Sequence, residues 1–154
     1  MSTRSGRDFY HTNDVNAREA LGALFEGVDS TYGQPAIFRY VQHLGAVAVV
    51  SGHCATKVTD ITTVSNDYDI AGALNVPAGA YISVPTQNYY TYIMVYGYPP
   101  TLLGDGSVAK GDGIMWKGVD GTWDTSVGTT YVAGECWADD TGSPAVFPGM
   151  IRCL

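Results

Sequence analysis

The chain has 154 residues, the length of one domain, and charged residues make up only 15% of it. Three Glu and three Lys occur, and the scarcity of these strong helix formers argues against an all-α protein. The net charge of −7 argues against phosphate-driven binding to nucleic acid and against adsorption on an anionic membrane. We therefore expect neither nucleic acid nor membrane among the partners.

Residues 1–34 differ from the rest of the chain and are predicted to form an N-terminal arm. The first eighteen positions hold three basic and two acidic residues, a net charge of +1, whereas the remaining 136 residues carry −8. Asn16 and Glu19 have the spacing of a capping box, and apolar residues then recur at helical spacing up to Phe25. This pattern predicts a short helix at 16–26, although Gly22 weakens it and an extended arm is the competing interpretation.

From Pro35 onward the pattern is that of short β-strands separated by Gly, Pro and Asp-Gly turns. Seven or eight strands with this spacing predict an all-β fold, a small β-sandwich or barrel, with residues 35–154 as a single domain. The predicted strands are 36–42, 46–50, 53–58, 81–84, 89–98, 113–117, 131–137 and 145–154.

The three cysteines, Cys54, Cys136 and Cys153, are odd in number and widely spaced, which is not the pattern of a disulfide framework. We expect them to be small buried hydrophobes. The polar first residues do not resemble an export signal, so the sequence predicts synthesis in a reducing cytoplasm.

No pattern typical of a catalytic, metal or cofactor site is present in the sequence. A Cys54 nucleophile with His43 as its base, or a metal held by His53 and Cys54, are alternatives that no spacing supports. Seven acidic residues lie between Asp105 and Asp140, but several occupy turns, where Asp is favoured by backbone geometry alone. Turn formation is therefore preferred over calcium binding or carboxylate catalysis, and we expect a protein that is not an enzyme and needs no cofactor.

The most distinctive stretch is the tyrosine strand, Tyr89–Tyr98. Alternation places one set of large side chains on a single face, and that face is suited to a protein interface or to stacking on sugars. A second buried face inside a sandwich is the equally open alternative. The set consists of Tyr90, Tyr92, Met94, Tyr96 and Tyr98.

Three blocks of the sequence, in order, resemble the small decoration proteins of tailed-bacteriophage heads, which are also called cement proteins. The most specific is the aromatic strand followed by DGSVAKGD at 105–112. AIFRYVQHLGAVAVVSGHCATKV at 36–58 is similar to the opening of these proteins, and TYVAGECWADDTGSPAVFPGMIRCL at 130–154 is similar to their closing strands. Tyr92 stands where relatives often carry Trp.

The resemblance implies a non-enzymatic virion protein on the outer surface of the capsid, where it bridges subunits of the major capsid protein. It also implies a homo-oligomer, for which we favour a trimer over a dimer. Arg4, Arg7 and Arg18 are the expected capsid-binding residues of the arm, because they contrast with the acidic body of the chain.

Two other functions are compatible with the sequence. The first is a carbohydrate-binding β-sandwich, such as a tail-fibre or lectin-like module that uses the tyrosine face and a calcium ion at Asp139 and Asp140. The second is another β-rich virion component from the tail or the head closure.

Overall fold

The computed structural model describes residues 8–67, 70, 76–116, 120–126, 132–139 and 145–153. These residues form twelve β-strands and no helix, so none of the described segments is a helix that could cross a membrane. The predicted all-β fold class is confirmed, with more and shorter strands than expected. The strands are β1 (Leu24–Val28), β2 (Pro35–His43), β3 (Cys54–Lys57), β4 (Thr63–Ser65), β5 (Pro77–Tyr81), β6 (Tyr90–Gly97), β7 (Leu102–Leu103), β8 (Gly113–Trp116), β9 (Trp123–Thr125), β10 (Gly134–Cys136), β11 (Val146–Phe147) and β12 (Gly149–Arg152).

Five strands close into a small barrel in the order β2-β4-β3-β5-β6, because β6 returns to pair with β2. The β2–β4 contact is parallel, and the other four contacts are antiparallel. The β2–β6 pairing runs from Ile37 opposite Tyr96 to Gln42 opposite Tyr90. Closure satisfies the strand edges that an open sheet of this size would expose.

The remaining strands extend this ring on either side. β1 pairs antiparallel with the first half of β2, and β12, β10, β8 and β9 follow in that order from the end of β6. β7 and β11 form a separate antiparallel pair. β2 and β6 therefore lie at the centre of the sheet with partner strands on both edges.

The hydrophobic core has two parts, one on each face of the β2–β6 pair. Phe38 and Met94 are cross-strand partners in the larger cluster, whereas Val41 and Ile93 belong to the smaller cluster that fills the barrel. Because side chains alternate along a strand, burial on both sides leaves the middle of β2 and β6 without a solvent-facing side.

A β-bulge near the end of β6 changes the face of the sheet to which the following side chains point. Ile37 is opposite Tyr96 and the next residue, Phe38, is opposite Met94, so Val95 is an extra residue on β6. The Val95 carbonyl instead accepts a hydrogen bond from the Cys153 backbone amide at 2.7 Å. Gly97 follows with a φ of +124°, and a Cβ there would lie 3.0 Å from the Cβ of Ala36. Glycine is required at this position because both the conformation and the space exclude larger residues.

The predicted helix at 16–26 is wrong, and the described part of the predicted arm belongs to the folded core. Residues 24–28 form β1, and Gly22 has a φ of +80°, which interrupts helical geometry. The Phe9 ring stacks on Phe38 with a centroid distance of 4.2 Å, and Phe25 is also buried in the larger cluster. Burial of these aromatic side chains against β2 and β6 outweighs the helical spacing of 17–25.

Several predicted strands also differ from the structure in position. Residues 46–50 are not a strand, and the strand predicted at 81–84 lies earlier in the chain, as β5 at Pro77–Tyr81. The cysteine expectation is confirmed, since Cys54, Cys136 and Cys153 are buried and form no disulfide with one another.

The packing of the N-terminal segment predicts the effect of shortening Phe9. Phe9→Ala should lower the free energy of unfolding by about 3 kcal/mol, because it removes a ring stacked in the core. Val15→Ala is the control, because Val15 is 63% exposed and its loss should change stability by less than about 0.5 kcal/mol. Urea unfolding measures the stability of both variants. Equal stability of the two would contradict packing of Phe9 in the core and would favour the predicted N-terminal arm.

Candidate functional site

The tyrosine strand is mostly core rather than surface. Tyr92 and Met94 are buried in the larger cluster, and Tyr90 packs against Tyr40 with their rings 6.2 Å apart. The predicted interface role is therefore wrong for Tyr92 and Met94, because β6 is covered on both faces. The alternative of a second buried face describes this part of the strand correctly.

Tyr96 leaves the buried face because of the bulge at Val95. Direct cross-strand partners share a face, so Tyr96 lies on the side of Ile37 rather than on the side of Met94. There it lines a groove of about 480 Å³ formed by β1, β2 and β6. The groove is mainly apolar and carries one charged residue among those that line it. Its lining is Glu26, Gly27, Val28, Pro35, Ala36, Ile37 and Tyr96.

Next to this groove three aromatic rings form a cluster that we call the aromatic surface: Tyr32, Tyr98 and Trp137. The Tyr98 ring lies 4.7 Å from Trp137 and 5.7 Å from Tyr32, centroid to centroid. Tyr32 is 51% exposed and Trp137 is 37% exposed, whereas the other two tryptophans are buried. Val28 and Pro35 of the groove flank the turn that carries Tyr32, and Tyr96 precedes Tyr98 by two residues.

A buried carboxylate positions Tyr32. Asp29 is 2% exposed, and its two oxygens accept hydrogen bonds from the backbone amides of Thr31, Tyr32 and Gln34 at 3.0, 2.6 and 2.6 Å. The Asp29 amide also donates to the Gln34 carbonyl across the turn. The β1–β2 turn is therefore fixed by its own sequence, and Tyr32 is held in place before any partner binds.

Trp137 reaches the same surface from the other end of the chain. It follows β10, and its backbone amide donates to the Pro148 carbonyl at 2.9 Å. Tyr32 and Trp137 are more than a hundred positions apart and lie in turns, so no local pattern in the sequence predicts that they meet. Only the pairing of the extension strands with the end of β6 brings them together.

The candidate nucleophile and its base are both core residues. Cys54 is fully buried, which raises the pKa of its thiol well above the usual value. The Nδ1 atom of His43 shares a hydrogen bond of 2.8 Å with the Tyr81 hydroxyl rather than with Cys54. Burial lowers the pKa of His43 to about 4, against the opposing effect of a backbone hydrogen bond at Gly45. The structure does not assemble Cys54 and His43 into a reactive pair.

The acidic cluster is used for turns in the part of the chain that the structure describes. Asp105 accepts hydrogen bonds from the Ser107 amide and hydroxyl. Asp112 accepts from the Ala109 amide and the Thr125 hydroxyl, and these bonds lower the pKa of its carboxyl. Asp139 accepts from the Lys110 amide, and Asp140 lies outside the described residues. The described residues contain no group of three potential ligands able to hold a metal ion.

The predicted capsid-binding arginines are only partly placed. Arg4 and Arg7 lie outside the described residues. The Arg18 Nε donates to Asp14 at 3.0 Å, and the Tyr40 hydroxyl donates to the other oxygen of that carboxylate at 3.1 Å. Arg18 thus already has an intramolecular partner, which weakens its prediction as a capsid contact.

The role of Asp29 predicts a change at the aromatic surface. Asp29→Ala leaves three turn amides without their acceptor, so it should cost about 1–3 kcal/mol and shift the fluorescence of Trp137 as Tyr32 moves. Asp60→Ala is the matched control, since Asp60 also accepts turn amides but lies in another turn. Unchanged emission in Asp29→Ala would contradict this account of Tyr32.

The buried His43 predicts an acid-sensitive fold. The folded protein keeps this side chain neutral at pH values where the unfolded chain protonates it, so stability falls as the pH drops from about 6.5 to about 4. The loss from this residue is on the order of 3 kcal/mol. Urea unfolding across this pH range should give a shallower dependence for His43→Gln, and identical slopes for both proteins would contradict the prediction.

Comparison with protein-family models, with curated proteins and with solved structures finds no match to this chain. The expectation of a phage head protein therefore rests on the sequence resemblance over residues 36–154 alone.

Proposed function

We propose that the chain is a non-enzymatic structural protein of a bacteriophage virion that binds the outer surface of the capsid. In this proposal it bridges neighbouring major capsid protein subunits and stabilises the head. The observation that supports it best is the aromatic surface beside an apolar groove, a combination suited to contact with another protein.

The residue types of the aromatic surface are those that contribute most of the binding energy in protein interfaces. Tyrosine and tryptophan are enriched among the residues that dominate binding energies. Val28 is 58% exposed and adds apolar area beside the three rings. Asp29 fixes the turn that carries Tyr32, so little conformational entropy is lost when a partner covers it.

The outer edge of β1 offers a second means of attachment. Among the described strands, β1 is an edge strand of the large sheet and pairs with β2 alone. The groove lies along β1 and β2, so a capsid segment or a second copy that adds to this edge would also cover Val28 and Tyr96. We propose self-association through this edge, with a trimer favoured over a dimer.

Charge contributes to the proposed capsid contact through the N-terminal residues. Arg4 and Arg7 remain the proposed basic contacts with acidic capsid surface, and Arg18 is a weaker candidate because it pairs with Asp14. Binding should therefore weaken in part as salt concentration rises. The proposed place of the protein is the outer capsid surface, after synthesis in the host cytoplasm.

A carbohydrate-binding module is the second candidate, and one observation favours it. Exposed, mutually tilted Tyr and Trp rings offer flat faces on which a sugar ring can stack. Because Trp137 is the exposed member of the three tryptophans, its fluorescence reports on any ligand at this surface.

The capsid proposal predicts specific co-sedimentation. Purified protein should pellet with capsids assembled from the major capsid protein of the same phage genome. The double variant Tyr32→Ser with Trp137→Ser should bind roughly 100-fold more weakly with little change in melting temperature, because both side chains are exposed. Capsids that carry the wild-type protein should also survive higher temperatures than bare capsids.

Val84→Ser is the matched control for this experiment. Val84 is 61% exposed and precedes β6, at the opposite end of that strand from Tyr98, so its loss should leave binding unchanged. Failure of the wild-type protein to pellet with the capsids would reject the proposal. Quenching of Trp137 by glycans together with that failure would favour the carbohydrate-binding function.

A further inference from the structure

A second concave site, lined by other residues than the groove, lies on the barrel. A cavity of about 330 Å³ is lined by the end of β3, the start of β5 and the end of β12. Lys57 and Arg152 line it together with Cys153, and its other described lining residues are apolar. No acidic side chain is among the described residues that line the cavity, although the chain as a whole carries −7.

A third cation, Arg39 on β2, interacts electrostatically with the Cys153 thiol. Its side chain is 5% exposed, and its Nε and Nη1 atoms are buried without a hydrogen-bond partner. The ion pairs found in the described part of the chain join Asp8 to His11 and Asp14 to Arg18, so the cations at this cavity have no acidic partner there. A buried guanidinium without an anion is strongly unfavourable.

Cys153 does not supply the missing negative charge. Burial raises the pKa of its thiol to about 12, even though Lys57 and Arg39 act in the opposite direction. The side chain is therefore a neutral thiol at physiological pH. Two of the eight basic residues of the chain, Lys57 and Arg152, thus line one cavity without an acidic residue among its described lining. The charge of a third basic residue, Arg39, acts on the Cys153 thiol in the wall of the cavity.

We propose that this cavity binds a small oxyanion, a carboxylate or phosphate group held by Lys57 and Arg152 and stabilised by the charge of Arg39. Guanidinium and ammonium groups match the oxygen acceptors of such an anion. Partial burial lowers the local dielectric and strengthens the attraction. The proposal is independent of capsid binding, because the cavity shares no residue with the aromatic surface or its groove.

The test is thermal unfolding with inorganic phosphate, with acetate, and with chloride at the same ionic strength. A hundredfold excess of the bound anion over its Kd should raise the melting temperature of wild type by roughly 5–10 °C relative to chloride. A response to phosphate alone or to acetate alone identifies which oxyanion the site prefers. Phosphate also stabilises proteins by exclusion from their surfaces, so the relevant quantity is the difference from the variants.

Arg39→Met should lose this specific rise, and in chloride it should unfold at the same or a higher temperature than wild type, because an unpaired buried charge is gone. Lys57→Met should also lose the rise. Lys110→Met is the charge-matched control, since Lys110 lies in an exposed turn, and it should respond as wild type does.

Two results would overturn the proposal. One is an equal response of wild type, Arg39→Met and Lys110→Met to phosphate and acetate. The other is an absence of any rise in the melting temperature of wild type with phosphate and with acetate, relative to chloride.

Discussion

The pairing of β6 with β2 is the constraint on which the rest of the structure depends. It closes the five-stranded ring, and it places the two strands between the barrel interior and the larger cluster. Side chains on both faces of these strands are therefore buried, including Phe38 and Met94 on one face and Val41 and Ile93 on the other. The tyrosine strand is rich in large residues because it supplies two cores at once.

The same pairing determines where the candidate binding surface lies. The extra residue Val95 turns Tyr96 to the opposite face, and Gly97 then lets β6 pass from β2 to β12. Tyr96 and Tyr98, at and beyond this point, are partly exposed, as Tyr90 is at the start of β6. Tyr98 contacts Trp137 because β10, which Trp137 follows, pairs with β12 next to the end of β6. Tyr98 also contacts Tyr32, because the turn between β1 and β2 lies near the same end of β6.

The sequence predicts what depends on local pattern and misses what depends on tertiary contacts. The fold class and the central strands at 36–42 and 89–98 follow from aromatic and β-branched alternation, and the structure confirms them. The sequence does not predict β1, because residues 17–25 have helical spacing and only the burial of Phe9 and Phe25 favours a strand. The bulge at Val95 does not alter the alternation of residue types, so the sequence predicts the wrong face for Tyr96. The position of Lys57 and Arg152 at one cavity likewise depends on tertiary contacts, because β3 and β12 are far apart in the sequence.

Radical footprinting with residue-level mass spectrometry tests the central claim most directly, because it compares the two groups of aromatic and sulfur side chains in one experiment. The account predicts rapid oxidation of Tyr32 and Trp137 in the free protein, together with strong protection of Tyr92 and Met94. Methionine is intrinsically one of the residues most prone to oxidation, so protection of Met94 is a demanding requirement. Oxidation of Tyr92 and Met94 at the rate of Trp137 would contradict the account, because it would show that these side chains are exposed to solvent.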